Sequence, residues 1–193
     1  MYTIKENIEN EIIIQKSRFI TYFYKINHKD DINNYLNEIK KKYSDATHYC
    51  YAYRLDNGEK CSDDGEPKGT AGNPILHVLQ MNNLNNILCI VIRYFGGIKL
   101  GAGGLVRAYT KSATECLKKG NITILIEGYR VQLTIQHSSI KQVDYLLKDY
   151  SILKKYDNNI IYEFSVSKDE FENIKNSLIP YIIEFKIINN IYI

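Results

Sequence analysis

Five glycines fall within nine residues in the stretch RYFGGIKLGAGGLVRAY, Arg93 to Tyr109. Gly96, Gly97, Gly101, Gly103 and Gly104 permit positive φ and close backbone approach. A uniformly apolar run, Ile87 to Ile92, precedes them and a helical pattern follows. The expected first helical turn has no Ser, Thr, Asp or Asn cap, so its N–H groups are available to an anion. Arg93, Lys99, Arg107 and Lys111 surround this stretch, with Lys68 at its rim. One reading is a phosphate-binding loop. The competing one is a tight connection packed against a sheet. Known nucleotide loops do not match. Lys99 is followed by Leu100, which breaks the P-loop pattern, and Val106 stands where a dinucleotide-binding loop needs its third glycine.

A second stretch, SDDGEPKGTAG, Ser62 to Gly72, gathers Asp63, Asp64 and Glu66. Such carboxylates can hold Mg²⁺ or exchange protons. More often they sit on a solvated turn or pair with bases, and a salt bridge to Arg93 or Arg107 would fix the loop. A third stretch, ATHYCYAYR, reads as a strand with His48, Cys50, Ala52 and Arg54 on one face and three tyrosines on the other. His48 and Cys50 point too nearly parallel for a proton relay, so His48 is expected to bond to the acidic loop. Thus Asp63, Asp64, Glu66 and His48 are read as loop organisers. No metal site, cofactor or catalytic residue is expected.

These stretches need a scaffold. The chain has 193 residues, 45% apolar and 24% charged, which fits a folded globular protein. Its longest apolar run is too short to span a membrane. Four cysteines without a CxxC pair fit reduced thiols in a cytoplasmic protein. Charge is segregated. Residues 56–66 hold five acids against Lys60, and none follows from Pro67 to Thr114. All 11 glycines lie between Gly58 and Gly128. Residues 1–126 carry 17 bases and 13 acids, and 127–193 carry 8 and 9. The boundary is therefore placed at Gly128, giving domains 1–127 and 128–193.

The pattern predicts strands over 2–8, 11–16, 18–26, 48–55, 87–94 and 122–126. It predicts helices over 29–43, 70–80 and from about Gly104 to Lys119. The second part reads as β-α-β-β-α-β, the ferredoxin-like order, with an S-x-x-E capping box at Ser167 and Glu170.

Taken together, the three stretches resemble the signature blocks of the IMPACT/YigZ family, in that order. Glu11 to Ile20 is similar to the family's N-terminal block. The resemblance covers about 1–125 closely and 129–185 more loosely. It implies an α+β protein. The first domain would have the α/β fold shared with ribosomal-protein and elongation-factor domains, and a ferredoxin-like domain would follow. It points to RNA or the ribosome as partner. The resulting expectation is a non-enzymatic factor that binds RNA or a ribonucleoprotein and modulates translation. Two rivals stay open: a Mg²⁺-dependent enzyme acting on a phosphorylated small molecule or nucleotide, and a protein–protein adaptor.

Overall fold

The computed structural model describes residues 1–192. The chain divides into two compact units, one ending at Ile124 and one starting at Leu125.

The first unit runs β1 (Tyr2–Ile4), β2 (Ile8–Ile14), β3 (Ser17–Lys25), α1 (Lys29–Lys42), β4 (His48–Leu55), β5 (Gly58–Ser62), α2 (Gly72–Met81), β6 (Ile87–Tyr94), α3 (Gly101–Leu117) and β7 (Ile122–Ile124). Five strands form one sheet in the order β2-β3-β6-β4-β5, and β1 pairs with β7. Every pairing in the large sheet is antiparallel. β6 lies at its centre with apolar clusters on both faces. Cys89 and Val91 pack in the cluster that includes residues of α2 and α3. Leu88, Ile90 and Ile92 pack in the cluster that includes residues of α1. A strand buried on both sides has no use for alternation, which explains its uniform apolarity.

Three differences from the sequence expectation have local causes. The pattern predicts no strand over Gly58–Ser62, where β5 forms. It is an exposed edge strand, Gly58–Ser62, and edges carry charge rather than apolar pattern. The first two strands, expected over 2–8 and 11–16, are shifted: β1 ends at Ile4 and β2 already starts at Ile8, and the two pair with different partners. α3 starts at Gly101, not near Gly104, so three of the five glycines belong to its first turn. Glycine lowers helix propensity and hides that start. Gly101 itself sits at φ +68 and turns the chain into the helix.

Gly96 is needed for another reason. A Cβ there would lie 2.0 Å from the Lys16 carbonyl carbon, in the turn joining β2 to β3. That turn holds Gln15 and Lys16 at positive φ, the geometry of a tight hairpin. The loop after β6 is thus pressed onto the β2–β3 hairpin.

The second unit runs β8 (Glu127–Ile135), α4 (Ile140–Leu146), β9 (Leu153–Tyr156), β10 (Ile160–Ser167), α5 (Lys168–Leu178) and β11 (Ile182–Tyr192). Its strands form an antiparallel sheet ordered β11-β8-β10-β9. Residues of both helices and of three of its strands share one core, with Leu133, Val143, Tyr162 and Leu178 at its centre. Ser167 Oγ accepts the Glu170 N–H at 3.2 Å and donates to its carboxylate at 2.8 Å, so Ser167 caps α5, with Glu170 bonded to the serine hydroxyl rather than to its backbone N–H.

The two glycine environments predict opposite outcomes. Gly96→Ala is expected to destabilise by about 1–3 kcal/mol or more through the backbone clash. In Gly103→Ala the new Cβ meets only the flexible Arg107 guanidinium at 3.5 Å. It is expected to be neutral, or stabilising by up to about 1 kcal/mol. Urea midpoints of the two variants read this directly, and equal losses would contradict the close approach at Gly96.

Candidate functional site

Glu66 is the buried charge from which the site is built. Its side chain is 3% exposed. Its Oε1 accepts from Arg93 Nη1 at 2.6 Å and from the Tyr109 hydroxyl at 2.8 Å. Arg93 comes from the end of β6 and Tyr109 from α3, so one carboxylate ties the 62–71 loop to a strand and a helix. A buried carboxylate is tolerated only with such partners. Burial first, and then the neighbouring Cys50 and Glu66, hold the Tyr109 hydroxyl protonated, as its donor role requires.

Arg93 therefore lies inside, 5% exposed, rather than on the surface where the sequence placed it as a phosphate ligand. Its guanidinium stands 5.5 Å from the Phe19 ring centroid and 5.6 Å from that of Phe95. Nη2 lies 3.4 Å from Ser17 Oγ, which also accepts the Gly96 N–H at 3.2 Å. Ser17 and the Thr47 hydroxyl, which accepts the Phe95 N–H, thus fix the start of the glycine loop.

The other loop acids turn toward backbone amides. Asp63 accepts N–H groups of Gly69, Ala71 and Gly72 at 2.7, 3.0 and 2.8 Å. It caps α2 from a distance, since no residue at that terminus does so. Burial pushes the Asp63 carboxyl up, but these three N–H groups outweigh it and hold the group below its ordinary value. Asp64, at φ +42, accepts the Tyr49 N–H at 2.6 Å. His48 donates Nδ1–H to the Asp64 carbonyl at 2.7 Å and leaves Nε2 4.0 Å from Glu66 Oε2.

The three carboxylates are thus directed at separate donors and do not converge. No group of three or more His, Cys, Asp or Glu among the described residues is disposed to hold a metal. The Cys50 thiol, 2.9 Å from the Asp63 carbonyl, is pushed far up by burial and stays neutral. It is no nucleophile in that state. Tyr109 and Ser17 escaped the sequence reading, because on their own a tyrosine on a helix's inner face and a serine at a strand start look like packing residues.

The remaining cations are left outside. Lys68, Lys99, Arg107 and Lys111 are exposed and make no hydrogen bond or ion pair among the described residues. Gly97, Gly101 and Gly103 are exposed beside them, while Gly96 and Gly104 are half-buried. No side chain caps α3, and its first turn carries no acid. The Arg107 guanidinium lies near Gly103 in that turn. A cation at the positive end of a helix dipole is electrostatically unfavourable without an anion between them.

Two outcomes test this arrangement. Glu66→Gln is expected to cost about 3 kcal/mol, because Arg93 would be left buried without its counter-charge. Arg93→Met should then cost less in the Glu66→Gln background than alone, whereas additive losses would contradict the pairing. Asp63 contributes stability above its unfolded-state pKa of about 3.9, and this is lost as pH falls through its lower folded-state value. Asp63→Asn should lower stability at pH 7 by about 1 kcal/mol and flatten the acid limb of the stability curve. An unchanged acid limb would contradict it.

The Impact N-terminal domain family matches residues 15–117. That span contains Ser17, His48, the acidic loop, Arg93, the glycine loop and all of α3. The chain is 40% identical over 180 residues to the IMPACT family member YvyE of Bacillus subtilis, covering 88% of this chain and 81% of that protein. It is 38% identical over 144 residues to an IMPACT family member of Haemophilus influenzae, covering 72% and 70% of the two chains. A solved structure described as a hypothetical protein aligns with TM-score 0.70 at 26% identity, over 93% of this chain and 91% of its own. The match spans every partner of the Glu66–Arg93 pair, and the closely similar relatives extend past it into the second unit. On both grounds the chain belongs to the IMPACT family.

Proposed function

We propose that this chain is a cytosolic factor that modulates translation by binding phosphate groups of RNA or a ribonucleoprotein. The observation that carries this is the uncapped, glycine-rich start of α3 with Arg107 folded over it and Lys99 at its entrance. The helix start, its dipole and the guanidinium converge there with no acid in that turn, which suits phosphate oxygens. Lys111, one turn beyond Arg107, extends the basic strip along the helix, and Lys68 stands at its rim. Arg93 is not a ligand in this reading. It positions the loop from below.

IMPACT-family membership supports translation as the process, through the family's resemblance to ribosomal-protein and elongation-factor domains. The second unit's β-α-β-β-α-β order and its β11-β8-β10-β9 sheet support a ferredoxin-like domain. Four free cysteines, three of them buried, support a reducing compartment. No helix among the described residues is long and apolar enough to cross a membrane. The Mg²⁺-dependent enzyme is disfavoured because Asp63, Asp64 and Glu66 point to different donors.

The test is anisotropy of a short single-stranded RNA at several salt concentrations. Contacts from Lys99, Arg107 and Lys111 predict a log–log salt slope of about −2 for single strands. The double variant Lys99→Ala, Arg107→Ala should stay folded and lose most of the affinity. A slope near zero, or a variant that binds like wild type, would sink the proposal.

A further inference from the structure

The second unit contains a cavity of about 760 Å³ that nothing above uses. Its size falls in the range that ligands occupy. Its charge is one-sided. Asp149, Glu163, Asp169 and Glu170 line it against Arg130 alone. Arg130 is already engaged by Glu163 at 3.5 Å. Glu163 also accepts from Gln132 and Lys155, so this pair satisfies itself. Asp149 and Asp169 are exposed and make no hydrogen bond or ion pair among the described residues. Glu170 accepts from the Ser167 hydroxyl. The open carboxylates thus lack a cation.

The same cavity borders an unpaired stretch of strand edge. β10 pairs with β8 along all eight residues, Ile160 to Ser167. On its other side β9 pairs only with Ile160 to Glu163. Among the described residues no strand lies beside Phe164–Ser167 on that edge, and Phe164, Ser165 and Ser167 line the cavity. Such an edge presents alternating N–H and C=O groups to an added strand. Apolar contacts are on hand as well. Leu153 is 59% exposed and Ile126 49% exposed, and both line the cavity.

We propose that this cavity binds an extended, lysine- or arginine-bearing peptide segment of a protein partner, which adds as a short strand beside Phe164–Ser167. The carboxylates repel phosphate, so RNA does not fit here. A polyamine could neutralise the acids but has no amide row to match the strand edge. A cationic peptide satisfies both features, and its alternate side chains reach Leu153 and Ile126. The proposal does not rest on the RNA reading. The basic strip lies in the first unit and every residue lining this cavity lies in the second, so either can fail alone.

The experiment uses the full chain with a blocked peptide of alternating lysine and valine. Peptide affinity and amide hydrogen exchange are read together. The expected result is binding that weakens with salt, together with slowed exchange at Phe164–Ser167. Asp149→Asn with Asp169→Asn should weaken it about fivefold. Asp149→Asn alone, outside α5, should give a smaller loss with that helix untouched. A glutamate–valine peptide should not bind. The proposal is overturned by absence of lysine–valine binding, by equal binding of the two peptides, or by variants that bind like wild type. Binding that leaves exchange at Phe164–Ser167 unchanged overturns it too. So does spermidine binding as tightly as the peptide, since that would mark a site for cations alone.

Discussion

The Glu66 carboxylate is the constraint around which the first unit is arranged. Leaving such a charge buried and unpaired would be costly, and no other pairing in the unit is so deeply enclosed. Because Arg93 and Tyr109 donate to the same oxygen, neither can move without exposing the other's defect. The acidic loop, the end of β6 and the middle of α3 are therefore fixed as one piece. Two rings flank the guanidinium, and Ser17 ties it to the glycine loop. The loop's position at the surface follows from what happens beneath it.

This arrangement also explains the charge segregation in the sequence. A run of acids followed by a run of bases could have been two loops neutralising each other. Only one such pair forms, Glu66 with Arg93, and it forms in the interior. Asp63 and Asp64 direct their carboxylates at backbone amides, where each satisfies donors that a loop and a helix start would otherwise leave open. Neither carboxylate reaches Lys99 or Arg107, and of the acids on α3 Glu115 stands near Lys111. An uncapped helix start under a guanidinium breaks the usual local preferences, and such breaks concentrate at functional sites.

The parts of the fold set by burial were legible in the sequence. His48–Leu55 and Ile87–Tyr94 emerge with the bounds their patterns gave, because apolar pattern runs their full length, and α5 starts where Ser167 marks it. Where glycine or charge masks the pattern, the reading failed. β5 looked like loop because an edge strand needs no apolar face, and the first turn of α3 disappeared into the glycines. The site shows the same divide. Acids and bases were visible as types, but residue type cannot say which way an arginine at a strand end will turn. Arg93 turned inward because Glu66, 27 positions earlier, had to be buried beside it. That is a property of the assembled sheet and is absent from either stretch alone.

The α3 start and the cavity beside β10 expose opposite charge. The first carries Lys99 and Arg107 beside a helix turn that has no acid, and the free groups of the second are carboxylates. A ribonucleoprotein offers both complements, phosphate on its RNA and lysine- or arginine-bearing segments on its proteins. Binding at either unit would weaken with salt, since each involves charge neutralisation at an exposed surface. Salt sensitivity alone therefore says only that charge matters. The sign of the probe's charge separates the two proposals: a polyanion tests the α3 start, and a polycation tests the edge of β10.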